Sequence, residues 1–265
     1  MTESAHAAPE PARDTPASIR TEITLVFLIS LGMSGLLSLV SIIETQIKAA
    51  QASISLAQVH VAVAAPQSQV SVIDLIRQLL QVVKYAALGL LGLYLLWRDG
   101  VSLADRLGLN LRRPWTDLFA GLGLAALIGI PGLGLYLLAN HLGLSLTVVG
   151  SSLTDTWWRI PVSILLAVAN AFLEEALVVG YLLTRLGHLR TPVVWAVAIS
   201  AVLRGSYHLY QGYGGFVGNA VMGVVFALVF LRWRRLWPLV IAHAVIDTVV
   251  FIGYPLLKPH LPWLP

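Results

Sequence analysis

Apolar stretches of membrane-spanning length recur near residues 22–43, 79–97, 117–140, 160–186, 192–210, 215–231 and 238–257, with short polar or basic connections between them. About 20 residues of helix match a hydrocarbon core about 30 Å thick. Within that core each backbone amide must bond inside its own segment, so every stretch predicts a helix rather than a strand. The intervening segment 44–78 is only moderately apolar and is read either as an interfacial helix or as an eighth, weaker span. The pattern predicts an all-α polytopic membrane bundle of seven or eight transmembrane helices. The first 20 residues, MTESAHAAPEPARDTPASIR, are rich in Ala and Pro and lack the apolar centre of a signal peptide, so they read as a disordered tail. The chain then divides into a tail at 1–20, a membrane domain at 21–257 and a short tail at 258–265.

Composition supports the membrane reading: 57% of residues are hydrophobic, 11% are charged, and the mean hydropathy is +0.81. The chain contains no cysteine, which removes disulfides, thiolate catalysis and thiolate metal ligation. A net charge of +4 suits loops lying on anionic lipid, and the basic clusters are too short for a nucleic-acid surface. With seven spans and the amino terminus inside, eleven arginines (13, 20, 98, 106, 112, 113, 185, 190, 232, 234 and 235) fall in cytoplasmic segments, against Lys48, Arg77, Arg159 and Lys258 outside. That excess predicts a cytoplasmic amino terminus. Trp97, Trp115, Trp157, Trp158, Trp195, Trp233 and Trp237 fall near span ends, where an indole anchors at the interface. Lys84, near the start of the second span, is expected to snorkel.

A few ionisable groups break the apolar runs. Glu174 and Glu175 in FLEEALVVGYLL, His208, His243 and Asp247 lie inside three different predicted helices. An ionisable side chain at the centre of a span costs at least about 2.5–3.5 kcal/mol, so such groups are expected to converge on a partner or a wet cavity. His243 and Asp247 in HAVID share a helix face, as do Arg204 and His208 in RGSYH. Adjacent glutamates point about 100° apart and must take different roles, one towards water or substrate and the other towards a cation. Carboxylates beside imidazoles in a restricted polar cavity can activate water and stabilise an oxyanion, as amide hydrolysis requires. The same set could ligate zinc. Ser200 and Ser206 lack a nucleophile-elbow context.

These residues resemble three motifs of the CAAX protease and bacteriocin-processing (CPBP, or ABI) family of intramembrane proteases. The first motif, two glutamates followed by three residues and an arginine, corresponds to EEALVVG from Glu174. The second, a phenylalanine four residues before a histidine, corresponds to RGSYH ending at His208, and the third, a histidine four residues before Asn or Asp, to HAVID. The resemblance implies a peptidase domain with its motif-bearing core at 160–257. It implies that Glu174 and His243 activate water and that His208 and Asp247 stabilise the oxyanion. It leaves open whether Glu174, His208, His243 and Asp247 hold a zinc ion or no metal is used. It also implies a bacterial cell membrane as the location, with lipids and a membrane-tethered or hydrophobic peptide, a prenylated CAAX-type peptide among them, as partners. A non-catalytic scaffold or immunity protein of the same family, and a proton- or cation-coupled transporter, are the alternative readings. Two positions depart from the family pattern: Val179 stands at the arginine position and Arg204 at the phenylalanine position. If Arg204 replaces the missing guanidinium, it must lie within about 6 Å of Glu174 or Glu175.

Overall fold

The computed structural model describes residues 15–149 and 156–261, so most of the expected amino-terminal tail and the end of the carboxy-terminal one lie outside the described residues. Helix α1 (Pro16–Leu28) begins before the expected tail boundary at residue 20, with proline in its first turn and the Thr15 hydroxyl accepting from the Ser18 amide at 3.2 Å. It is followed by α2 (Leu31–Gln51), β1 (His60–Ala62), α3 (Ser71–Arg98), the short α4 (Leu103–Arg106), α5 (Pro114–His141) and β2 (Thr147–Val149). Next come α6 (Arg159–Glu174), a π-helical segment (Glu175–Tyr181) continuing into α7 (Leu182–His188), then α8 (Val193–Tyr207), α9 (Tyr213–Trp233), α10 (Trp237–Thr248) and α11 (Tyr254–Leu257).

Among the described residues five helices are long and apolar enough to span alone: Ser71–Arg98, Pro114–His141, Arg159–His188, Tyr213–Trp233 and Trp237–Leu257. A sixth span forms if α1 and α2, bent by 51°, are taken together. The run expected at 192–210 yields α8, whose 15 residues extend only about 22 Å at 1.5 Å per residue, short of a full crossing. Residues 44–78 supply no separate span; they hold the end of α2, a loop with β1, and the start of α3.

Contacts between connections define two ends of the bundle. At one, the Leu236 amide donates to the Leu107 carbonyl at 2.8 Å, Arg235 donates to Asp117 at 2.6 Å, and Arg185 pairs with Glu22 at 2.7 Å and with Asp99. At the other, β1 and β2 pair in parallel with His60 opposite Thr147, the Trp158 indole donates to Ser71 at 3.2 Å, and Leu146 bonds Gln211 at 3.0 Å. Gly212 makes that end compact: its φ is +101°, and a Cβ there would stand 2.7 Å from the Ser145 Cα. Trp158 is thereby buried, unlike the exposed Trp97, Trp115, Trp157 and Trp195.

Around the ring, α3 packs on α6, α6 on α10, α10 on α5, α5 on α9, α9 on α8, and α8 on α2. The main core joins them near the Arg185 end through Leu96, Leu107, Leu177, Tyr181, Phe226, Phe230 and Leu239. α8 and α9 approach closely at Gly223, where a Cβ would meet the Ala201 Cα at 2.9 Å and the Arg204 Cδ at 3.4 Å. Gly223→Val is therefore expected to destabilise the protein by about 1–3 kcal/mol. Gly123→Val, with nothing within 4 Å of the added Cβ, is expected to have no such effect. Thermal unfolding in detergent measures both.

Candidate functional site

The two glutamates sit where α6 changes into the π-helical segment, a widened turn of the kind found at functional sites. Glu174 is the last residue of α6 and lines a cavity of about 1390 Å³, while Glu175 is fully buried and faces away from it. Their partners differ accordingly. Glu174 Oε1 accepts from Asn170 Nδ2 at 3.1 Å, and its Oε2 accepts from the Tyr207 hydroxyl at 2.7 Å and from Arg204 Nη1 at 3.4 Å. Glu175 Oε1 accepts from Arg204 Nη2 at 2.7 Å and lies 2.7 Å from His243 Nδ1.

Arg204 thus falls well inside the separation required for it to stand in for the family arginine. Its guanidinium, fully buried, lies over the Phe226 ring with 5.4 Å to the centroid. Val179, at the family's arginine position, is buried among apolar side chains.

An ionised carboxylate only accepts, so in the neutral imidazole the His243 proton sits on Nδ1 against Glu175. The other nitrogen, Nε2, then presents its lone pair 3.5 Å from Asp247 Oδ1 and 3.9 Å from Glu174 Oε2. Asn170 ties the two carboxylates together, since its amide also donates to Asp247 Oδ2 at 3.0 Å. His208, just past the end of α8, bonds the Arg204 carbonyl through Nδ1 at 3.0 Å and stacks obliquely on Tyr207 with centroids 4.8 Å apart. It lines the same cavity as Glu174, His243 and Asp247.

Asn170 and the hydrogen-bonding role of Tyr207 escaped the sequence reading. The first was legible by spacing, because Asn170 is a polar residue in an apolar run four positions before Glu174 and on its face. Tyr85 and Tyr210 also line the cavity. Lys84 lines it too; α3 begins at Ser71, so this lysine is in mid-helix rather than near an end.

A zinc ion finds no fitting donor set. Both Glu174 oxygens already accept from protein donors, a guanidinium stands 3.4 Å from one of them, and no group of three His, Asp or Glu among the described residues is disposed to hold a metal.

Residues 156–249 match the family model described as "Type II CAAX prenyl endopeptidase Rce1-like". This segment is similar to the CPBP family of CAAX proteases. No curated protein and no solved structure matches the chain. The CPBP match runs from just before α6 to the end of α10, so it includes both glutamates, Arg204, both histidines and Asp247.

The unequal surroundings of the CPBP glutamates lead to unequal substitution effects. Glu175→Gln removes the closest counter-charge of a buried guanidinium and is expected to destabilise the protein by about 3 kcal/mol. Glu174→Gln keeps an oxygen for the Tyr207 hydroxyl and leaves the Arg204–Glu175 pair intact, so its loss in thermal unfolding is expected to be smaller.

Proposed function

We propose that the protein is an intramembrane endopeptidase that cleaves a membrane-associated or hydrophobic peptide with a water molecule activated by Glu174 and His243, without a metal. The observation that carries this reading is the division of labour between the adjacent glutamates. Glu174 faces the cavity, whereas Glu175 is held between Arg204 and the imidazole that it orients.

In the proposed reaction a water held between Glu174 Oε2 and His243 Nε2 loses a proton to one of them as its oxygen attacks the scissile carbonyl carbon. The carbonyl π electrons move onto the oxygen, giving a tetrahedral oxyanion. Its collapse breaks the C–N bond, and the stored proton passes to the leaving amine nitrogen. Arg204 and Glu175 act as positioning residues. They fix the imidazole and balance the buried charge.

The oxyanion needs hydrogen-bond donors. An ionised Asp247 can only accept, and the Nδ1 proton of His208 is committed to the Arg204 carbonyl. The Tyr210 hydroxyl is better disposed: its oxygen accepts from Gln211 at 3.0 Å, its proton is donated to no described group, and it lines the cavity. We therefore assign Tyr210 as an oxyanion donor, with Asp247 orienting Asn170.

Incubation of the purified protein with a membrane-peptide library, with and without chelator, tests this. Glu174→Gln and His243→Ala are expected to lower turnover at least about 100-fold. Tyr210→Phe is expected to lower it by about 100-fold through kcat. Chelator is expected to leave the wild type unaffected. Cleavage that survives Glu174→Gln would rule out the assignment.

A further inference from the structure

The connections at the two ends of the bundle differ sharply in charge. At the end where Arg185 meets Glu22, the connections carry Arg106, Arg112 and Arg113 between α3 and α5, Arg190 between α7 and α8, and Arg234 and Arg235 between α9 and α10. At the opposite end, residues 52–70, 142–149 and 208–212 contain no lysine or arginine, and the adjoining helix turns carry only Lys48, Arg77 and Arg159.

The cavity belongs to the end poorer in lysine and arginine. Its lining includes Ala65 and Gln67 from the loop before α3, Tyr136 near the end of α5, Val148 of β2, Gln211 and Tyr254. None of its lining residues comes from the arginine-bearing connections. Towards the arginine end the interior below Glu174 and His243 is filled, with Leu96, Leu107, Leu177, Phe226, Leu236 and Leu239 fully buried. Arg185, bonded to Glu22 and Asp99, closes that end further.

Short connections rich in arginine stay on the cytoplasmic side. We infer that the cavity opens to the extracytoplasmic face, and that its occupant is a hydrophobic peptide segment presented at that face or in the outer leaflet. A lipidated carboxy terminus held in the cytoplasm is on the wrong side of the filled core. The identity of the occupant as a substrate rests on the peptidase reading; the direction of opening does not.

The absence of cysteine makes the wild-type chain its own blank for thiol labelling. Single substitutions Gln67→Cys at the mouth, Gln81→Cys within the cavity and His188→Cys at the arginine end are treated in intact cells with a membrane-impermeant maleimide, before and after permeabilisation. All three positions lie outside the proposed catalytic set. Gln67→Cys and Gln81→Cys are expected to label in intact cells, and His188→Cys only after permeabilisation. Labelling of His188→Cys in intact cells, or of Gln81→Cys only after permeabilisation, would overturn the inference. Labelling requires no turnover, so a chain that labels as expected but cleaves nothing retains the sidedness and loses only the peptidase reading.

Discussion

Two adjacent carboxylates buried in a membrane bundle can remain ionised only if a cation is held against them, and in this protein the cation comes from another helix. Arg204 of α8 reaches Glu175 at 2.7 Å and Glu174 at 3.4 Å. Removing either side of such a pair leaves an uncompensated charge away from water, which is far more damaging than losing an exposed ion pair. Much of the local packing follows from this requirement. Phe226 offers its ring face to the guanidinium, and Gly223 lets α9 come close beside Arg204.

The same pair sets up the proposed chemistry. Glu175 shares its Oε1 between Arg204 Nη2 and His243 Nδ1, which leaves Nε2 directed at Glu174 and Asp247. Tyr207 and Asn170 then hold Glu174 at the cavity wall from opposite sides of its carboxylate. Acid, imidazole and cavity are thus arranged by side chains from α6, α8 and α10, the segment covered by the CPBP family match.

Much of the helical framework was legible because a span must be apolar over its whole length. The limits of that reasoning appear where length and direction are decided by neighbours. The continuous apolar run 22–43 gives no warning of the 51° bend, at which Ser30 turns its hydroxyl to the Val26 carbonyl and Gly32 comes close to Phe27. The polar start of α3, SVIDLIRQ, hid the helix that places Lys84 in mid-span. The run at 192–210 concealed how early α8 stops, at Tyr207. Within the site, spacing was the reliable guide. Four-residue intervals paired Arg204 with His208 and His243 with Asp247, and the same interval applied to Asn170 would have found it. No local pattern marks the π-helical segment, since its apolar residues serve either helix type equally well.

One guanidinium, moved from the π-helical segment to α8, keeps the paired glutamates in place. Exchanging Arg204→Phe and Val179→Arg, singly and together, and following thermal unfolding in detergent tests it most directly. A large loss of stability is expected for Arg204→Phe alone, with recovery of much of that loss when Val179→Arg is added. An Arg204→Phe protein as stable as the wild type would contradict it.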